Sequence, residues 1–188
     1  MNDRRAQLLV GQFEVAWALC DYHLERLVPD DFLWEPAPLC WTLHRTPDGG
    51  WRPDWAETEP DPVPVPTVAW LSWHIGWWWT TALAHLRGTT PPEPLDVEWP
   101  GPGLPAVEWL GGLRTEWLAG LEAASGDGWD EPAAFPWPRE AGRTIADLVA
   151  WVNVELTKNA AEIGQLRLLR AVAPGGPTSA DGSATGTG

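Results

Sequence analysis

The sequence predicts an all-α fold: a four-helix bundle with a long Pro/Trp-rich crossover between helices 1 and 2. Three observations predict it. Apolar residues recur at steps of three and four in four segments, near 3–28, 67–87, 105–124 and 144–172. Nine prolines between 29 and 66 separate the first two segments and forbid a continuous helix there. No stretch makes a convincing strand, and no internal repeat is visible.

The first helix places Leu9, Phe13, Trp17, Cys20, Leu24 and Leu27 on one face, and Pro29-Asp30 stops it. The 29–66 segment is too long for a tight connection, so it should lie across the domain. Phe32, Leu33, Trp34, Trp41, Trp51 and Trp55 are its candidate anchors. The second helix begins at Thr67 and ends near Arg87, before Gly88. A loop carrying Asp96, Glu98 and Trp99 leads to the third helix. That helix opens near Pro105, a favoured first-turn residue, and runs to Ala124. Its apolar side is Val107, Leu110, Leu113, Trp117, Leu118 and Leu121, and Ser125-Gly126-Asp127-Gly128 breaks it. The fourth runs from about Thr144 to Val172. Residues 173–188 are Gly, Ser, Thr, Ala and Pro with one Asp, the composition of a disordered tail. Residues 1–172 then form one domain.

The chain has 188 residues and a net charge of −14, with no basic stripe. Nucleic acid is therefore excluded as a partner, because phosphate contacts need clustered Lys and Arg. An anionic membrane surface is excluded for the same reason. The N-terminus has no signal-peptide pattern and no apolar run reaches about 20 residues, so a cytoplasmic protein is expected. Cys20 falls on an apolar stripe as a small core residue. Cys40 falls in a loop without an activating His or Asp beside it. A small molecule is the expected partner, and the protein is expected to be a monomer or a homodimer.

On the fourth helix Leu148, Val152, Leu156, Ile163 and Leu166 gather on one side. Glu155, Lys158, Asn159 and Glu162 lie within or at the edge of that stripe, on neighbouring turns. Lys158 is the only lysine in the chain. At the edge of a buried face it needs a partner, and Glu155 and Glu162 are both in reach. One reading is a structural ion pair that sets helix register. The other is a preorganised polar pocket, since charges of this kind cluster at functional sites.

The second helix carries five Trp in ten residues, Trp70 to Trp79, with His74 among them. Burial should lower the His74 pKa unless a carboxylate faces it. Glu155 or Glu162 can be that carboxylate if the two helices are neighbours. His85 is eleven residues on, roughly 16 Å along the axis, and cannot share a metal with His74. His23 and His44 have no evident partners. Trp70, Trp77, Trp78 and Trp151 are candidate walls of a cavity for an apolar, aromatic or cationic molecule, with Asn159 as a polar contact.

Trp73-His74-Ile-Gly-Trp-Trp on the second helix, and Trp151-Val-Asn-Val-Glu-Leu-Thr-Lys-Asn-Ala-Ala-Glu-Ile-Gly164 on the fourth, resemble the DinB superfamily. The loop Phe32-Leu-Trp-Glu-Pro with Cys40-Trp41 is similar to an actinobacterial branch of it. The resemblance covers residues 5 to 170. It implies a four-helix bundle with a central divalent-metal site, and relatives that are thiol-dependent S-transferases and isomerases using mycothiol or bacillithiol. A metal-ligating His on the second helix falls on His74. Two further His, four apart on the fourth helix, fall on Lys158 and Glu162. A protonated Lys cannot ligate a metal. Two options follow. His74 and Glu162, with Glu155 or Asn159, form a mixed site for Zn, Ni, Mn or Fe. Alternatively, the Lys158 ammonium stands where the cation would be and the metal site is degenerate.

The expected function is an enzyme on a small organic molecule, of transferase, isomerase or cyclase type. His74, Glu155, Lys158 and Glu162 are its candidate catalytic residues, sharing general acid–base work. The alternatives are a metal-dependent thiol S-transferase or hydrolase, with a low-molecular-weight thiol as co-substrate, a non-catalytic binding protein, and a purely structural bundle.

Overall fold

The computed structural model describes residues 4–124 and 126–174, and most of them are helical. Four long helices carry the core: α1 (Arg4–Leu24), α3 (Val68–Arg87), α4 (Leu104–Ala123) and α5 (Ile145–Val172). A four-residue helix, α2 (Pro29–Phe32), follows α1. α1 packs along α5, α5 along α3, α3 along α4, and α4 touches α1. Large side chains fill the space between them, Trp73, Trp78, Trp79 and Trp117 all being fully buried.

The helix limits follow from local chemistry. The Thr67 hydroxyl accepts the Trp70 N–H at 3.2 Å and starts α3. Gly88 ends it at φ 66°, a left-handed conformation that needs no Cβ. At the start of α5, Thr144 and Asp147 form a reciprocal capping box, with the Thr144 N–H donating to Asp147 Oδ2 at 2.9 Å. That bond, first among several, holds the Asp147 carboxyl below its usual range.

Between helices, small residues permit close approach. Gly76 of α3 lies directly against the Trp109 ring of α4, where any side chain would collide with the indole. Along the α1–α5 seam, Asn153 Nδ2 donates to Leu9 O at 2.9 Å and to Gln12 Oε1 at 3.1 Å. Further on, Gly164 sits against His23. Residue numbers rise together on both helices, so α1 and α5 run parallel.

The structure departs from the sequence reading in the first 66 residues. α1 ends at Leu24, not near 28; residues 25–27 form tighter turns. Pro29 and Asp30 do not simply end a helix. They begin α2, where Pro occupies the first turn and the Asp31 carboxylate accepts the Val28 N–H at 3.0 Å. No strand was expected, yet four short ones form: β1 (Cys40–Trp41), β2 (Leu43–Arg45), β3 (Trp51–Pro53) and β4 (Val65–Pro66). β2 and β3 make an antiparallel hairpin in which Leu43 faces Pro53 and Arg45 faces Trp51. Gly49, at φ 90°, supplies its turn. β1 pairs parallel to β4, with Cys40 opposite Val65 and Trp41 opposite Pro66. Prolines exclude helix here, and the extended backbone that remains pairs over two or three residues. Runs that short leave no alternation to read.

Indole N–H groups tie the connections to α3. Trp70 Nε1 donates to Asp54 O at 2.7 Å, Trp73 Nε1 to Val97 O at 3.1 Å, and Trp99 Nε1 to the Ser72 hydroxyl at 2.9 Å. Cys40 lies on β1 and not in a loop. Its thiol donates to Ala37 O at 3.0 Å, and burial raises its pKa. Cys20 is buried in the core, and desolvation pushes its thiol up to about 12, which makes it inert. Two histidines read as unpartnered have partners. His44 Nε2 meets Asp54 Oδ1 at 2.9 Å, and His23 Nδ1 accepts from Arg167 Nε at 3.3 Å. Asp54 is ten residues from His44, just past the β2–β3 hairpin, and Arg167 is 144 residues from His23. Of the expected tail, residues 175–188 lie outside the described residues.

Candidate functional site

α3 and α5 border a cavity of about 350 Å³. His74 reaches it from α3, and Lys158, Asn159 and Glu162 from α5. Trp70 forms one wall; Trp41, Trp55, Glu59, Pro64 and Pro66 close it from the proline-rich segment.

The most ordered part of this site is a relay of neutral donors ending on a carboxylate. Asn159 is 1% exposed. Its Oδ1 accepts from Trp78 Nε1 at 3.1 Å, and its Nδ2 donates to Glu162 Oε2 at 2.8 Å. The amide can face only one way. An indole N–H only donates, so it requires the amide oxygen; an ionised carboxylate only accepts, so it requires the amide nitrogen. Residues 159 and 162 are three apart on a helix, which puts their side chains on adjacent turns. Glu162 is thereby held at the cavity wall.

Lys158 behaves differently. Its ammonium is 2.8 Å from Glu155 Oε2, but the Lys158 side chain is 50% exposed and that of Glu155 19%. The sequence reading placed this lysine on the edge of a buried face, and from that edge half of its side chain reaches solvent. Glu155 does not border the cavity and meets it only through Lys158.

The His74 ring stacks on Trp70 at 4.8 Å and 12°, and Trp70 stacks in turn on Trp41 at 4.8 Å and 19°. Nδ1 of His74 is buried without a hydrogen-bond partner. Burial, and then the Lys158 ammonium, lower its pKa to about 4. At neutral pH the imidazole is therefore uncharged. Neither Glu155 nor Glu162 forms an ion pair with it, so desolvation decides its state.

A profile of the DinB superfamily matches residues 12–163. The chain belongs to the DinB superfamily. No curated protein matches it, and no solved structure does. The matched span takes in every polar residue of the site. No described helix of this DinB-superfamily chain is long and apolar enough to cross a membrane.

The DinB resemblance implies a divalent metal, and the donor set tests that implication. His74 and Glu162 border one cavity, but among the described residues no group of three or more His, Cys, Asp or Glu is placed to hold a metal ion. Both ends of the Asn159 amide are already bonded, and Lys158 brings an ammonium to the same wall. These residues do not fit a three-ligand centre.

Of the five proposed ligand contacts, Trp70 and Asn159 border the cavity. Trp77, Trp78 and Trp151 do not. Trp77 packs on Trp55 at 5.0 Å, Trp78 is buried behind Asn159, and Trp151 lies edge-on to Trp78 and Phe135. Sequence reasoning missed Trp41, Trp55 and Glu59 as lining residues. The first two were legible as anchors of the proline-rich segment, but nothing in the sequence says which helix they meet. Glu59 carried no signal at all. His85, at the far end of α3, stacks on Phe135 at 5.4 Å and 7°.

Proposed function

We propose that this DinB-superfamily protein, a four-helix bundle with 29–66 as its crossover, is an enzyme acting on a small organic molecule in the His74–Glu162 cavity. The reaction is a proton-exchanging one, of transferase, isomerase or cyclase type, with the superfamily's metal site degenerate. The observation that carries this reading is the Trp78–Asn159–Glu162 relay: two buried polar groups are committed to aiming one carboxylate at a cavity. Preorganised hydrogen-bonding groups at a pocket wall are what a catalytic or binding site requires.

The roles follow from charge state. His74 is neutral at pH 7 and accepts a proton from the bound molecule. The Lys158 ammonium offsets the negative charge left behind, with Glu155 fixing its position. Glu162 orients the molecule by accepting a hydrogen bond, and Trp41, Trp55 and Trp70 cover its apolar part.

The test begins with a ligand found by screening. Lys158→Ala and Glu162→Gln are expected to abolish turnover while affinity stays within about tenfold, roughly 1.4 kcal/mol. Parent-like turnover in both variants overturns the reading. Tight binding without turnover in the parent makes this a binding protein. Stoichiometric Zn, Ni, Mn or Fe that survives dialysis against a weak chelator points instead to a metal-dependent thiol S-transferase or hydrolase.

A further inference from the structure

The functional cavity does not end at Glu162. A groove of about 400 Å³ continues from it between β4 and α5. Pro66 and Glu162 border both spaces, so one molecule can occupy the two at once. Ala161, Leu166 and Leu169 form one wall of the groove, and Val65 and Pro66 the other. Residues 161, 162, 165, 166 and 169 fall on a single face of α5, because they recur at steps of one, three and four. The opposite wall is held by β1: the Val65 N–H donates to Leu39 O at 3.0 Å, and just beyond it the Thr67 N–H donates to Trp41 O at 2.9 Å.

The two spaces differ in chemistry. The groove is apolar apart from Gln165 and the shared Glu162. Val65 is 39% exposed and Leu169 43%, so large apolar side chains face water from both walls. Side chains in that position gain from a hydrocarbon laid between them. The chain's own C-terminal segment does not supply one, since residues 175–188 contain no apolar side chain larger than proline. The cavity, by contrast, is polar and acidic. Glu59 and Glu162 border it against one ammonium, Lys158, which Glu155 already holds. Glu162 Oε2 takes one hydrogen bond from Asn159, and an ionised carboxylate accepts about four, so Glu162 has capacity left for a donor. An acidic group placed there would meet two like charges.

We propose that the molecule bound here is an amphiphile, with a non-acidic, hydrogen-bond-donating head in the His74–Glu162 cavity and an unbranched hydrocarbon arm along the β4–α5 groove. This rests on the functional reading of the cavity given above and narrows it to a substrate class. From Ala161 to Leu169 the helix rises about 12 Å, which takes an arm of roughly eight to ten carbons.

NMR titration of the full chain with n-alkylamines, n-alkanols and n-alkanoates of about four to ten carbons tests the proposal. The Trp70 indole N–H, at the cavity wall, reports entry of the head. For amines and alkanols, affinity is expected to rise at least about twofold per added carbon, a fully buried methylene giving about fourfold. Alkanoates are expected to bind at least about tenfold more weakly than amines of equal length, because the wall repels them. Leu169→Gln and Val65→Thr are expected to flatten the dependence on chain length, with butylamine binding and circular dichroism unchanged, since both side chains are exposed. Val154→Gln, exposed on the same helix outside the groove, should leave that dependence intact. Affinity that ignores chain length, or that follows it equally in both groove variants, overturns the proposal, while a Trp70 shift still leaves the cavity reading standing. Alkanoates that bind as well as amines overturn it through the head. The absence of any Trp70 shift with every probe overturns it too. The enzymatic reading answers instead to turnover in Lys158→Ala and Glu162→Gln, so the two fail separately.

Discussion

Asn159–Glu162 and Lys158–Glu155 occupy the same two turns of α5, and each pair spans three residues. One pair is sunk against α3 and locked by Trp78; the other stands at the rim with the lysine half in water. In the first, a neutral amide does the positioning and both of its ends are satisfied. In the second, two full charges meet in a medium that screens them. Spacing alone treats these pairs as equivalent. What separates them is what lies opposite: an indole in one case, an opening to solvent in the other. The comparison teaches that the chain fixes the inner carboxylate through a neutral amide, and leaves the outer ammonium at the rim, tethered to Glu155 but open to solvent.

The largest expected effect tests how dry the inner side is. His74 titrates at about 4 in the fold, against 6.5 for the exposed residue. Between those values the unfolded chain binds a proton that the folded chain refuses, so stability falls as pH drops from about 6.5 to about 4, and no further below that. The shift corresponds to about 3 kcal/mol. Urea unfolding of the parent and of His74→Gln across pH 4–7 isolates the term as a difference between two curves. Parallel curves would mean that water reaches the imidazole, and the contrast between the two sides of α5 would collapse.

Next comes the relay. Asn159→Ala leaves the Trp78 N–H buried without an acceptor and Glu162 without its donor. A stranded buried group costs about 1–3 kcal/mol, and the lost side chain adds to that. A loss of about 2–3 kcal/mol in chemical unfolding is expected, along with weakened ligand binding, since Glu162 is released. Unchanged stability would show that the amide is not committed to the relay.

How much of this was legible beforehand depended on range. The limits of α3 and α5 were readable because Thr67, Gly88 and Thr144 act within one turn of themselves. The short strands were not, because Cys40 pairs with Val65 across 25 residues and neither segment is long enough to show a period. At the site, helix spacing correctly put Glu155, Lys158, Asn159 and Glu162 on one strip. It could not assign depth within that strip, because depth is set by the neighbouring elements. Trp78 and Asn159 were both singled out, one as a cavity wall and one as a polar contact; their direct bond spans 81 residues and left no trace in the sequence. Trp41 and Trp55 were read as anchors, and became walls only once the proline-rich segment was seen to fold onto α3.

The smallest expected effect is the most discriminating for the rim. If Lys158–Glu155 existed to hold the register of α5, removing either partner would strand a buried charge and cost roughly 3–5 kcal/mol. With the Lys158 side chain 50% exposed and that of Glu155 19%, neither charge is fully buried, so water takes over part of the lost partner's role. Exposed pairs contribute about 0.2–1 kcal/mol in double-mutant cycles. Lys158→Met and Glu155→Gln, alone and combined, are therefore expected to shift the unfolding free energy by less than about 1 kcal/mol, with a coupling smaller still. Lys158→Met should nonetheless change the His74 titration, since the Lys158 ammonium is one of the two causes that lower it. Without that charge the imidazole pKa rises, observable as a shift of its ring-proton NMR titration toward 6.5. A large stability loss would restore the register reading. A small loss with an altered His74 titration places the pair where the proposed chemistry needs it, in electrical contact with the cavity.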